Sequence, residues 1–256
     1  MWANNETGTI FPVEEMAALA AEKGIMFHTD AVQAVGKIPI DLKTTKIDML
    51  SLSGHKLHAP KGIGVLYLRR GCRFRPLLRG GHQERGRRAG TEASASIVAL
   101  GKACEMALAN MPKENTEVRR LRDKLEAGIL GQITHCFPTG DVANRLPNTC
   151  NIAFEYIEGE AILLLLNKLG IAASSGSACT SGSLEPSHVM RAMGIPYTAA
   201  HGTIRFSLSV DNTEEEIDRV IAAVPPIIEQ LRKLSPYWGE KGPSANPQES
   251  FAPTYA

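Results

Sequence analysis

Long apolar runs are missing from this sequence. The longest uninterrupted aliphatic stretch in its 256 residues, Ala161 to Leu166, is far too short to cross a bilayer. At the N-terminus no basic segment leads into an apolar stretch and a small-residue cleavage site, so no secretory signal is read there. Cysteine is scarce and odd in number. The five, at 72, 104, 136, 150 and 179, form no close pairs, which argues against a disulfide framework and against zinc held by paired cysteines. Excess charge is also absent: 28 basic and 27 acidic residues leave a formal charge of +1. With 43% hydrophobic residues the chain can bury a real core, so global disorder is excluded. The starting expectation is a reduced, soluble, cytoplasmic protein of one large or two smaller domains.

The neutral total hides a local imbalance. Eight arginines (69, 70, 73, 75, 79, 85, 87 and 88) and a single acid, Glu84, occupy the window from Arg69 to Arg88. Such a stretch is expected to meet something anionic or an acidic surface.

Pro12 with Val13, Met16, Ala17 and Ala20 predicts a helix that stops at Gly24. A strand over Ile25 to Thr29 then ends at Asp30, and Asp48 to Ser53 and Gly64 to Leu68 are further strands. This alternation predicts an α/β fold with a mostly parallel sheet. Helices over 93–111 and 115–131 are expected to break near Pro112. Cys150 to Tyr156 and Thr203 to Leu208 read as strands. Glu160 to Leu169 reads as a helix apolar on nearly every side and therefore buried. Thr213 and Glu216 form a capping-box pattern before a last helix that Pro225 and Pro226 should kink or interrupt. The expected division is 1–112, 113–238 and a loose tail over 239–256.

The densest cluster of chemistry is Ser53-Gly54-His55-Lys56 at the end of a predicted strand, where open α/β sheets bind ligands. Hydroxyl, imidazole and backbone could converge on a phosphate while the amine reaches a carbonyl; a solvated loop lysine beside a structural histidine is the plainer reading. His55 and His58 lack a third metal ligand, so no metal site is predicted. Asp30, with Gln33 three residues on, is either a turn aspartate or the acid that keeps a pyridine nitrogen protonated. The run Ser174 to Ser183 has a linker's composition, yet it contains Cys179, a thiol that a mobile loop could carry to and from a site. The other four cysteines read as packing residues. Arg205 sits among apolar strand neighbours and calls for an anionic partner, either a substrate carboxylate or a structural salt bridge.

Taken together, Asn4-Asn5-Glu6-Thr7-Gly8, His28-Thr29-Asp30-Ala31-Val32-Gln33, Ser53-Gly54-His55-Lys56, Arg88-Ala89-Gly90-Thr91, Ser175-Gly176-Ser177-Ala178-Cys179 and Arg205-Phe206-Ser207 closely resemble the pyridoxal-phosphate cysteine desulfurases, most of all the nitrogen-fixation type. The resemblance runs in order from Met1 to about Trp238. It implies a fold-type I, aminotransferase class V-like architecture: part of a large cofactor domain, then a smaller α+β domain with the cysteine loop. It implies that Lys56 holds pyridoxal phosphate as a Schiff base, Asp30 pairs with the pyridinium nitrogen and Gln33 with the ring hydroxyl. Ser53 and His55 would hold the phosphate, and Thr91 would reach the phosphate of the neighbouring subunit across a homodimer. Asn5, which would also contact the cofactor, and Arg205 would bind the carboxylate of L-cysteine, and Cys179 would accept its sulfur as a persulfide. An iron–sulfur scaffold protein would then take the sulfur, and Cys179 could touch a nascent cluster. Neither nucleic acid nor membrane is implied as a partner.

Two departures from the family pattern stand out. Members carry roughly another chain-third before the position of Met1, including the first cofactor-domain strands, a phosphate loop and the histidine stacked on the ring. This chain by itself is therefore expected to fold poorly, bind the cofactor weakly and show little or no desulfurase activity. Val210-Asp211-Asn212 also stands where an arginine and an aromatic are usual. The competing readings are a selenocysteine lyase or aminotransferase of the same fold, or a non-catalytic fragment that associates with full-length subunits.

Overall fold

The computed structural model describes residues 1–175, 186–239 and 242–244. Their contacts form two compact units: Met1–Asn4 with Ile10–Pro112, and Asn5–Thr9 with the chain from Lys113 onward.

In the first unit, Pro12 precedes α1 (Val13–Glu22), whose first turn carries Glu14 and Glu15 where the helix dipole favours acids. Gly24, at φ +65°, ends the helix. Its N–H donates to Ala21 O and the Ile25 N–H to Ala20 O, the paired bonds of a Schellman turn. That turn explains why β1 (His28–Asp30) is shorter than the strand expected from Ile25: Ile25 is committed to capping α1. β1 pairs in parallel with β2 (Met49–Ser53), and β2 pairs antiparallel with β3 (Gly64–Leu68). The sheet thus has one pairing of each kind where a mostly parallel one was expected. The connection over 54–63 is a tight turn, too short for the crossover that a parallel neighbour needs. Thr29 and Leu50 are buried on one face of the sheet, and the core there gathers Trp2, Val13, Ala17, Ala31, Ala34, Ile47 and Leu50. A short helical turn, α2 (Gln83–Gly86), and the long α3 (Ser94–Lys113) follow.

Pro112 does not break the chain's helical path. The turn Glu114–Val118 widens to a π-helix and leads directly into α4 (Arg119–Leu130). A proline removes one N–H from the i→i−4 ladder, and a local change to the wider register lets the helix continue beyond it.

The second unit then runs through β4 (Cys136–Pro138), β5 (Thr149–Phe154), α5 (Gly159–Lys168), β6 (Ser174–Ser175), α6 (His188–Ala192), α7 (Tyr197–Ala200), β7 (Thr203–Ser207), α8 (Glu214–Leu234) and a hairpin of β8 (Trp238–Gly239) with β9 (Gly242–Pro243). Its four-stranded sheet has the order β4-β5-β7-β6, every pairing antiparallel. Strand alternation sends Cys150, Ile152, Phe154, Ile204 and Phe206 into one core with Leu121, Leu125, Ile162, Leu166, Ile217, Val224 and Ile228 of the helices. The alternate positions Asn151 and Arg205 face the other way.

Three expectations need correction here. α5 is not buried all round: Ile162 and Leu166 enter the core, while Leu164 remains 62% exposed. α8 runs through Pro225 and Pro226 without interruption. Val224, Ile227 and Ile228 on either side of the prolines are buried, and their packing holds the helix where the ladder lacks donors. Of the segment 239–256 read as loose, Gly239 and Gly242–Pro243 are paired in the hairpin, and Ser244 N–H donates to Tyr237 O. The expected capping box is present, with the Glu216 N–H donating to Thr213 Oγ1 and the Thr213 N–H to the Glu216 carboxylate.

Candidate functional site

β1 and β2 are parallel, so their C-terminal ends lie at the same edge of the first unit's sheet, with Asp30 opposite Ser51. Ser53, two residues farther along β2, is therefore only about 7 Å beyond the level of Asp30. There the chain folds into a single 3₁₀ turn, Gly54–Leu57, closed by His58 at φ +65°. The turn presents His55 and Lys56 exposed while Gly54 and Leu57 are buried. Gly54 is a packing requirement, because a Cβ there would lie 2.7 Å from Ile63 Cγ2 and 3.0 Å from Ile63 O. The Gly54 N–H donates to that same Ile63 carbonyl at 2.9 Å, which ties the turn to the base of β3.

Four of the predicted residues thus gather at one sheet edge: Asp30, Ser53, His55 and Lys56. Ser53 Oγ and His55 Nδ1 are 2.8 Å apart. Asp30 Oδ1 accepts the Val32 N–H at 2.8 Å, so the turn-aspartate reading is realised by one carboxylate oxygen. Gln33 follows in the same turn, half-buried. One contact had no place in the sequence reading: His28 Nε2 and Ser51 Oγ, 2.7 Å apart, join β1 to β2 on the face that also carries Asp30. Its signal was the parity of His28 with Asp30 and of Ser51 with Ser53, visible only once the register was known. Thr91 lies exposed in the segment before α3. Arg69 leaves the basic stretch as a structural residue, donating to the carbonyls of Ile47, Leu42 and Thr45, whereas the other seven arginines are exposed.

In the second unit, Asn151, Arg205 and Ser174 are aligned across β5, β7 and β6. The loop Asn5–Thr9 lies over this row. Arg205 Nη1 donates to Asn5 O at 2.6 Å, and Asn151 Nδ2 donates to Glu6 O at 3.1 Å. Asn151 is itself held by Thr139 Oγ1 at 2.8 Å. The structure thus brings Asn5 and Arg205 together, through a backbone carbonyl. Gly8, at φ +79°, lets the loop pass Thr149, whose Cβ would be 3.0 Å from a side chain there. Glu6, only 4% exposed, accepts Ser187 Oγ at 2.7 Å. Burial pushes its carboxyl above the ordinary range, against the opposing pull of the Ser187 hydrogen bond and the charges of His188 and Arg205. Glu6 stood inside a quoted motif without a role; Ser187 carried the signal of a serine just before a helical run.

Cys179 lies outside the described residues. The other cysteines are free, but they are not all packing residues: Cys150 is buried and Cys136 half-buried in strands, while Cys72 lies in a surface turn and Cys104 is exposed on α3. Val210-Asp211-Asn212 forms the turn before α8: Val210 O accepts Lys113 Nζ at 2.6 Å and Asn212 Oδ1 accepts the Ser209 N–H at 2.8 Å. Among the described residues no three His, Cys, Asp or Glu side chains are grouped to hold a metal ion, and no helix is long and apolar enough to cross a membrane. A cavity of about 900 Å³ in the second unit, bordered by Ile133, Pro225, Arg232 and Trp238, contains none of the candidate residues.

A family model described as "Aminotransferase class-V" matches residues 1–220. "Cysteine desulfurase NifS" of Azotobacter vinelandii is 77% identical over 255 residues, covering 100% of this chain and 63% of its own length. "Cysteine desulfurase" of Azotobacter chroococcum mcd 1 is 74% identical over 255 residues, covering 100% of this chain and 64% of its own. Among solved structures, a "NIFS-LIKE PROTEIN" aligns with a TM-score of 0.82 at 38% identity, over 90% of this chain and 60% of that one. The chain therefore spans a little less than two thirds of the curated relatives it matches.

Proposed function

The chain belongs to the aminotransferase class-V family, whose members include pyridoxal-phosphate enzymes, and from that premise we propose that the protein is a cysteine desulfurase. The overall reaction balances as L-cysteine plus an enzyme thiol giving L-alanine plus an enzyme persulfide. The observation that carries the proposal is the sheet edge where Lys56, on its one-turn helix, stands beside the end of a parallel strand that closes on Asp30.

The residues present fit pyridoxal phosphate. Ser53 and His55 offer a hydroxyl and an imidazole to a phosphate, Lys56 an amine to an aldehyde, and Asp30 a carboxylate to a protonated pyridine nitrogen. Gln33 would meet the ring hydroxyl and Thr91 the phosphate of a second copy in a homodimer. When bound, the cofactor supplies an electron sink for the carbon that loses a proton. Lys56 would hold the cofactor and would carry that proton. Asn5 and Arg205 bind the substrate carboxylate, the planar guanidinium giving it a fixed orientation. Cys179 provides the sulfur acceptor, reactive only as its thiolate. The free cysteines among the described residues suit a reducing cytoplasm, where a persulfide would pass to an iron–sulfur scaffold.

The test is borohydride reduction of the intact protein after incubation with pyridoxal phosphate, followed by peptide mass analysis and an alanine-release assay. In a protein extended to the full length of its relatives, a single adduct on Lys56 and sulfur transfer abolished in Cys179→Ala are the expected result, whereas the 256-residue chain alone should label weakly and release little alanine. Adducts scattered over many lysines, or alanine formation untouched in Lys56→Ala, would overturn the assignment.

A further inference from the structure

We propose that Glu6 is a positioning residue for Arg205, holding in place the loop whose backbone fixes the carboxylate-recognising guanidinium. The inference rests on the reading of Arg205 given above. Three contacts carry it. Arg205 donates to the carbonyl of Asn5, so its direction depends on where the Asn5–Glu6 peptide sits. That peptide is gripped from the sheet by Asn151, which donates to Glu6 O and is fully buried. The Glu6 side chain is the other grip. Its carboxylate accepts Ser187 Oγ at 2.7 Å, and Ser187 is 5% exposed and caps α6 by accepting the Val189 N–H at 3.1 Å.

A buried carboxylate is costly unless its site holds it, so this one is a poor choice for a purely structural pin. What the charge adds is attraction for Arg205, whose field reaches Glu6. Glu6 thus serves Arg205 twice, through the position of the Asn5 carbonyl and through a negative charge that favours the guanidinium facing the loop. Nothing in this arrangement touches the reacting atoms, so its loss should weaken substrate capture and spare the chemical step.

The experiment compares Glu6→Ala, Glu6→Gln, Ser187→Ala and Arg205→Lys in the cofactor-loaded protein extended to the full length of its relatives, with L-cysteine as substrate. Glu6→Ala is expected to raise KM about tenfold, near 1.4 kcal/mol, with kcat within twofold. Glu6→Gln keeps an acceptor for Ser187 but removes the charge, so it should raise KM by an intermediate factor of about threefold, and it carries the test if the alanine variant does not fold. Ser187→Ala should move KM in the same direction by a smaller factor. In the cofactor-free protein, amide exchange over residues 5–9 should speed at least tenfold in Glu6→Ala, a readout independent of turnover. An unchanged KM, or a fall in kcat alone, would overturn the inference. If Arg205→Lys itself leaves KM unchanged, the carboxylate role of Arg205 fails first; if Arg205→Lys raises KM while both Glu6 variants are silent, only the role of Glu6 is lost.

Discussion

Gly54→Ala is the most informative single perturbation of the sheet edge that carries Lys56. The added methyl would sit 2.7 Å from Ile63 Cγ2, 3.0 Å from Ile63 O and 3.3 Å from Ala59 Cβ. The Ile63 side chain can rotate away from the first contact. The second cannot be relieved so easily, because the Ile63 carbonyl is bonded to the Gly54 N–H. Either that bond stretches or the 3₁₀ turn lifts off β3 by several tenths of an ångström. Overpacking of this kind costs about 1–3 kcal/mol. The same shift carries Lys56 with it, and misplacement approaching 1 Å can cost on the order of a hundredfold in productive geometry. The useful comparison is Gly62→Ala, whose φ of +92° penalises a side chain although nothing lies within 4 Å. It should destabilise by about 1–2 kcal/mol through backbone strain and leave Lys56 where it is. Urea midpoints give the stability change in both variants, and borohydride trapping gives the fraction of Lys56 labelled. Equal labelling in the two, at equal loss of stability, would refute the claim that Gly54 sets the position of Lys56.

Other consequences can be checked directly. Arg145 and Glu126 form a two-pronged pair at 2.6 Å for each contact, and the Arg145 side chain is only 4% exposed. Glu126→Ala should therefore cost about 3–5 kcal/mol in urea unfolding, because it strands a buried cation; a loss below ~1 kcal/mol would show the pair to be solvated. The Glu214 carboxyl, hydrogen-bonded by Arg120 and Lys124, is held down at about 2. Its folded value is depressed, so its contribution to stability is present above the unfolded value of 4.5 and fades as pH falls towards 2. A carboxyl NMR titration should show the value moving back towards 4.5 in Arg120→Ala; no movement would reject the hydrogen bond as the cause. Burial pushes the Cys150 thiol far up, so iodoacetamide at pH 8 should modify exposed Cys104 while Cys150 reacts only after unfolding.

The reach of the sequence varies from element to element. Gly24 and the Thr213–Glu216 box were readable because each signal and its structural consequence lie within one turn of the chain. The errors came where distant contacts decide. Pro225 and Pro226 are strong local breakers, yet α8 continues because buried Val224, Ile227 and Ile228 anchor it on both sides. Leu163, Leu164 and Leu165 read alike in sequence, but only the orientation of α5 on its core leaves Leu164 exposed.

By itself the sequence determined the chemistry on offer: an amine, an imidazole, a hydroxyl and a carboxylate at strand ends, a thiol in a segment of linker composition, and an arginine inside a strand. These are properties of residue type and local spacing, and they need no fold to be seen. The tertiary structure alone decided their alignment. Parallel pairing of β1 with β2 puts Asp30 and Lys56 at one edge, because only parallel strands end on the same side. The antiparallel register of β5 with β7 puts Asn151 opposite Arg205, and the loop laid over them brings Glu6, a residue with no local signal, to the same row. Partners separated by 145 and 200 positions leave no mark in the spacing of either segment, so their meeting could come only from folding.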